Sequence, residues 1–193
     1  MSAHNEPTAD SSDERLIAEC VATLDLGFDA TEWLRVGKFD SRTAALADRH
    51  YSRRKVGSPQ FMPPGQTIIL WCEMGAVFGW WRPHPASGLQ SMNGLDGWTC
   101  TIFRNESPLL SSELVLAAER ALVAAADGCG PDGMLTYVWD SKVKSTNPGY
   151  CFKRAGWKVR GRSADGRKTL LGKPFELAGA ALTDGTVSGI ERT

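Results

Sequence analysis

Apolar and polar positions follow two periods along this chain, and together they predict a run of short strands and helices. From residue 32 to 39 the period is two. Trp33, Arg35, Gly37 and Phe39 fall on one face and Leu34, Val36 and Lys38 on the other, which predicts a first strand. Asp40 or Ser41 then suits the N-cap of a helix that runs through Ala44, Ala45, Leu46 and Ala47 to about Tyr51. Residues 67–72 and 76–82 read as two strands turned by Glu73-Met74-Gly75. Trp98, Cys100, Ile102 and Arg104 share one face of the next strand, which Ser107-Pro108 ends. Ser111 or Ser112 suits the cap of a second helix, Glu113 its positive end, and Leu114, Ala118, Ala121, Leu122 and Ala125 its buried stripe.

Glycines from 128 to 133 close that helix, and 134–139 is a strongly apolar strand that stops at Asp140. A short helix over 150–155 and a hairpin of 157–162 with 168–171 complete the pattern, and 16–24 carries another short helix. With no internal repeat and no second hydrophobic block, the order predicts one α/β domain over 14–173, a mixed central sheet flanked by helices. Residues 1–13 are acidic and poor in large apolar groups and predict a disordered leader; 174–193 are small and polar and predict a loose tail.

Composition narrows the class. An apolar content of 42% over 193 residues supports one sizeable core. No apolar run approaches the ~20 residues that cross a bilayer, and no basic-then-apolar signal opens the chain, so a cytoplasmic protein without a membrane partner is expected. The five cysteines are odd in number and contain no Cys-x-x-Cys pair, which argues against a disulfide framework or zinc knuckle.

Net charge is zero, but its distribution is uneven. Residues 1–30 are acidic. Arg49, Arg53, Arg54 and Lys55 form one basic block; Lys142, Lys144, Lys153, Arg154, Lys158, Arg160, Arg162, Arg167, Lys168 and Lys173 form another. Two such blocks in a neutral chain point to a face for a polyanion, against the plainer reading of solvated hairpins.

Four places carry candidate chemistry. His50 and Tyr51 end the first helix, ahead of a basic, proline-punctuated loop over 52–66 that is long for a plain connection. Arg104, with Ser111, Ser112 and Glu113, sits where a strand opens a helix and leaves bare amides, a setting that attracts anions. Asp140 stands at the carboxyl end of a strand, where ligands of open α/β sheets gather. Asn147-Pro148-Gly149-Tyr150 is similar to the Asn-Pro-Pro-Tyr motif by which adenine-N6 methyltransferases hold a flipped base. It departs from that motif at Gly149, and no glycine-rich methyl-donor loop accompanies it.

Taken together, His50-Tyr51-Ser52-Arg53, Gln60-Phe-Met-Pro-Pro-Gly65, Phe103-Arg-Asn-Glu106, Ser111-Ser-Glu113, Asp140 and Asn147-Pro-Gly-Tyr-Cys-Phe152 with Ala155-Gly-Trp157 resemble the Mom family of phage DNA-modification proteins, over roughly residues 40–172. The resemblance implies a GNAT-like fold, that of the N-acetyltransferases. It also implies transfer of a carbamoylmethyl (acetamido) group to adenine N6 in double-stranded DNA, which shields phage DNA from restriction. Its functional residues fall on His50, Tyr51, Arg104, Ser112, Asp140 and Tyr150, with Asn147 beside the base and iron implied near His50 and Tyr51.

In the mechanism this implies, the base leaves the stack. Asp140 takes up its amine hydrogens. Tyr150 stacks on the base or returns a proton, and Arg104 holds a negative group. Arg53, Arg54, Lys55, Lys142, Lys144, Arg160 and Arg162 track phosphates. The donor is unknown. Glu106-Ser-Pro-Leu-Leu-Ser-Ser stands where acetyltransferases carry a glycine-rich acyl-carrier loop, which argues against acetyl-CoA in its usual mode. Double-stranded DNA is the expected partner and a homodimer is left open. A conventional N-acetyltransferase and a non-catalytic DNA-binding module are the alternatives.

Overall fold

The computed structural model describes residues 33–84, 86 and 94–175. The expected leader, the helix over 16–24 and the tail beyond residue 175 lie outside the described residues. The strands are β1 (Leu34–Val36), β2 (Gln66–Cys72), β3 (Ala76–Arg82), β4 (Gly97–Asn105), β5 (Gly133–Trp139), β6 (Lys158–Arg162) and β7 (Lys168–Lys173). They form one seven-stranded sheet in the order β1-β2-β3-β4-β5-β7-β6. All neighbours are antiparallel except β4 and β5. Helices α1 (Ser41–Asp48), α2 (Ser111–Ala125) and α3 (Tyr150–Arg154) flank it, and a 3-10 turn over Asp140–Lys142 follows β5. The mixed α/β sheet expected from the alternation is therefore present. No helix among the described residues is long and apolar enough to cross a membrane.

Helices cover both faces of the sheet, which explains why β2 and β3 are apolar at consecutive positions. Ile68, Leu70, Phe78, Trp80, Trp98 and Cys100 pack towards Val115, Ala118 and Leu122 of α2 and Phe152 of α3. Ile69, Val77, Trp81 and Ile102 pack on the other face with Leu46 and Ala47 of α1 and Met62 of the following loop. Asp40 caps α1 by accepting hydrogen bonds from the amides of Arg42 and Thr43, as its position predicts. β1 is shorter than expected, because the chain turns after Val36 and the Asp40 amide bonds back to the Gly37 carbonyl.

β4 departs from the sequence pattern. Gly79 pairs with Ile102 and Trp80 with Cys100, so Thr101 is an extra residue, a β-bulge. Alternation restarts after it. Trp98 and Cys100 point to the α2 side and Ile102 to the α1 side, not all to one face as expected. Neither Ser111 nor Ser112 caps α2 either. Leu110 holds that position without a side-chain bond, and the Ser111 hydroxyl accepts instead from Asn105 Nδ2 at 3.1 Å.

Indole groups hold α2 in place. Nε1 of Trp33 donates to the Leu114 carbonyl at 3.0 Å, Trp80 to Ala118 at 3.1 Å and Trp98 to Gly128, just past the helix, at 3.0 Å. Trp157 donates to Glu119 Oε1 at 2.6 Å, and Lys173 Nζ donates to Glu119 Oε2 at 2.5 Å and the Ala155 carbonyl at 2.9 Å. Glu119 is thus a buried carboxylate with both oxygens in use. Glu119→Ala strands an indole N–H and an ammonium together, so it should lower unfolding stability by about 2–4 kcal/mol in urea titrations. A change within experimental error would refute this role.

Candidate active site

The parallel pair β4–β5 is closed at one end and open at the other. Its rungs run from Gly97–Gly133 to Cys100–Thr136 and then stop, although both strands continue. At the closed end the backbones nearly touch: a Cβ on Gly97 would lie 2.2 Å from the Gly133 carbonyl oxygen, so the first rung requires glycine. Thr136 Oγ1 donates to the Cys100 carbonyl at 3.1 Å across the last rung. Beyond it the strands part around a cleft of about 230 Å³. That is slightly below the ~300 Å³ at which ordinary ligand clefts begin.

Its lining draws on almost every element that carries candidate chemistry. His50 and Tyr51 come from the turn just past α1, which stops at Asp48 and not near Tyr51 as expected, Cys100 to Phe103 and Asn105 from β4, and Ser111 from the first turn of α2. Thr136, Tyr137 and Val138 come from β5, and Gly149, Cys151 and Phe152 from the start of α3. Gly149 adopts φ +74°, and a Cβ there would meet Leu171 Cδ1 at 2.7 Å and Val138 Cγ2 at 3.1 Å, so only glycine brings this turn against β5 and β7.

His50 and Tyr51 form one wall, with ring centroids 4.2 Å apart. The Ser52 amide donates to His50 Nδ1 at 3.3 Å, and the Ser52 hydroxyl lies 2.7 Å from the same atom. An amide can only donate, so Nδ1 is the lone-pair nitrogen and the ring proton is on Nε2. Burial, with the nearby Arg104 charge, lowers the His50 pKa to about 4, so the ring is neutral at physiological pH. The Tyr51 phenol reaches towards the Trp139 backbone. Burial raises its pKa, so the phenol keeps its proton.

This wall is fixed from behind. Glu106 accepts from Arg49 (Nη2 at 2.6 Å, Nε at 2.8 Å) and from Arg104 Nε at 2.5 Å, while Arg104 Nη1 donates to the Arg49 carbonyl. The two guanidinium groups lower the Glu106 pKa to about 2. Arg104 is thereby committed to joining the β4 terminus to the end of α1. The anion-gripping role expected of it is replaced by that of a positioning residue.

Asp140 stands at the end of β5 but is not among the cleft's lining residues. Its Oδ2 accepts from Arg162 Nη2 at 2.8 Å and Thr169 Oγ1 at 3.0 Å, while Oδ1 is buried without a hydrogen-bond partner. Burial opposes its ionisation, but the bonds from Thr169 and Arg162 outweigh that and lower its pKa. Tyr150, 55% exposed, also stands outside the lining, between Gly149 and Cys151 which belong to it. Asn147 Oδ1 accepts from Lys153 Nζ at 2.6 Å. Ser111, not the expected Ser112, reaches the cleft.

The expected phosphate-binding residues divide. Arg53 is a loop staple: its guanidinium donates to Asp48 Oδ1 at 2.6 Å and to the carbonyls of Gln60 and Ser58, and its side chain is 8% exposed. These bonds hold its guanidinium in the loop, although the residue still lines a second cleft with its two basic neighbours. Arg54 and Lys55 are exposed and line this second cleft of about 430 Å³, which shares Thr101 and Ile102 with the first. Arg160 is tied to Asp132, and Arg162 to Asp140 and the Gly166 carbonyl, though both stay partly exposed. Lys142 is exposed, Lys144 likewise.

The residues present do not fit an iron centre at His50 and Tyr51. His50 Nδ1 faces the Ser52 amide and hydroxyl, which leaves one ring nitrogen and one phenol, too few donors for a centre by themselves. Among the described residues no group of three His, Cys, Asp or Glu side chains is placed to hold a metal ion. Nor does the β4–α2 turn offer an open cradle for the pyrophosphate of acetyl-CoA. Asn105 Oδ1 accepts from the Ser107 amide at 2.9 Å, and Ser107 Oγ from the Leu109 amide at 3.2 Å. Cys100, Thr136, Cys151 and Phe152 also reach the cleft, and the sequence reading gave them no functional role. Nothing in their spacing announces it, because it depends on where two strands part. Comparison with known proteins finds no matching family model, no matching curated protein and no matching solved structure.

Two measurements test this geometry. The His50 ring should stay neutral in an NMR titration until the pH falls to about 4. Its unfolded value is about 6.5. The unfolded chain therefore binds the extra proton first, and stability falls as pH drops from about 6.5 towards 4. A His50 midpoint above 6 would contradict the buried, arginine-facing setting. Arg53→Ala should expose residues 53–60 to limited proteolysis; an unchanged cleavage pattern would remove its stapling role.

Proposed function

We propose that this protein is a Mom-type DNA-modification enzyme with a GNAT-like fold, adding a carbamoylmethyl or related group to adenine N6 in double-stranded DNA. One observation carries the reading. Segments from most of the motifs of that resemblance, scattered from His50 to Phe152, meet around one cleft. A parallel strand pair that closes on glycines and opens beside a helix start is compatible with the GNAT arrangement.

Adenine N6 is a weak nucleophile, since its lone pair is delocalised into the ring, and it lies inside the duplex. The base must swing out, at a cost of a few kcal/mol. A new N6–carbon bond then forms as the donor's bond to its leaving group breaks; the leaving group takes a proton from a phenol, and the proton that N6 gives up restores that phenol. Asp140, ionised at neutral pH, stands beside the cleft with its Oδ1 buried and unpartnered, so it must turn towards the opening to accept an amine hydrogen bond. Its lowered basicity makes it a better orienting acceptor than proton-abstracting base. Tyr51 offers a protonated phenol for the leaving group, and Tyr150 an exposed ring for the base. Neutral His50 orients what enters from the α1 side. The donor chemistry belongs to a molecule other than acetyl-CoA in its usual pose.

Nucleoside mass spectrometry of DNA from expressing cells tests the reading directly. It predicts a mass-shifted deoxyadenosine that disappears in Asp140→Ala while DNA retention stays near wild type. Unmodified deoxyadenosine from cells making soluble, folded wild-type protein would overturn it.

A further inference from the structure

Trp139, the last residue of β5, is half-buried and ringed by cations. Lys168 Nζ lies 5.4 Å from the ring centroid, the Arg167 guanidinium carbon 5.6 Å and Lys142 Nζ 5.7 Å. They come from three places: Lys142 from the turn after β5, Arg167 from the hairpin loop, and Lys168 from β7, where it is the cross-strand partner of Trp139. A single cation over an indole is an ordinary contact. Three around one ring repel one another over distances that physiological salt screens only in part.

Carboxylates do not resolve that crowding. Arg167 pairs with Asp165 at 2.8 Å, but among the described residues no carboxylate forms a salt bridge with Lys142 or Lys168. Asp140, next in sequence to Trp139, directs Oδ2 to Arg162 and Thr169 instead. In the free protein these cations lie over the ring; when the ammonium groups swing out to phosphates, they uncover an aromatic face on which any nucleobase can stack. The ring lies one residue from the carboxylate that the proposed reaction uses.

We propose that Trp139 is a stacking platform for a DNA base, with Lys142 and Lys168 binding the phosphates on either side of it. The inference rests on the DNA-modification reading and names the surface that would hold the duplex while one base is withdrawn. Extrusion leaves neighbouring bases unstacked, and an aromatic ring at the rim compensates for part of that loss.

Fluorescence anisotropy with two duplexes tests it, one intact and one carrying a single abasic site as a ready-made gap. The wild type should bind the gapped duplex several-fold more tightly. Trp139→Leu should lose about tenfold in affinity for the gapped duplex, and with it the preference, while Trp139→Phe keeps both. The double variant Lys142→Ala with Lys168→Ala should reduce the salt slope of binding by about 2. Equal binding of both duplexes by the wild type, wild-type preference in a folded Trp139→Leu, or an unchanged salt slope in the lysine variant would each overturn the platform. If Trp139→Leu does not fold, the lysine variant decides. Deoxyadenosine analysis keeps the two readings apart. A gap preference without any adduct leaves the platform and removes the transferase; an adduct without a gap preference does the reverse.

Discussion

The clamp on α2 is the constraint on which the site depends. An amphipathic helix over a sheet is normally held by apolar contact alone, which is non-directional and tolerates small slides. Here indole N–H groups from the start of the described chain, β3, β4 and the α3–β6 turn fix it at Leu114, Ala118, Glu119 and Gly128. Each ring supplies a large buried area together with one directed bond, so the helix is set in both translation and rotation. Its first turn, with Ser111, is thereby held at the open end of the β4–β5 pair.

The second constraint is the unequal pairing of those strands. A glycine rung draws them together at one end, and the Thr101 bulge together with the lost rungs lets them separate at the other. The separation frees backbone that would otherwise be in a ladder. Tyr51 reaches towards the Trp139 backbone across it, and Glu106 with its two arginines keeps the His50–Tyr51 corner in place. The candidate site is therefore a gap in the sheet lined by side chains whose conformations are fixed from outside, the preorganisation that transfer chemistry needs.

Much of the fold was legible because period-two alternation and the Asp40 cap are local signals, whereas α2 ends at an extended Ala126 and not on the glycines of 128–133. What was missed is non-local. One inserted residue at Thr101 reverses the face of everything after it, and no propensity marks it in Trp98-Thr-Cys-Thr-Ile. Glu119 reads as a solvent-facing helix residue until Trp157 and Lys173 arrive from distant sequence. Of the residues singled out from sequence, His50, Tyr51 and Ser111 line the cleft. Sequence did not show the bonds of Arg53 and Arg104, because a formal charge does not reveal that carbonyls and carboxylates already occupy the guanidinium. It also placed Asp140 and Tyr150 within the pocket, whereas they flank it.

Under the proposed function, DNA meets this protein at the opening between β4 and β5. Hydrogen–deuterium exchange with and without duplex DNA examines it most directly. The account predicts slowed exchange over residues 49–55, 100–106 and 138–152. Slowing confined to the opposite end of the sheet, around the cleft lined by Arg35, Arg82 and Ala125–Cys129, would contradict it.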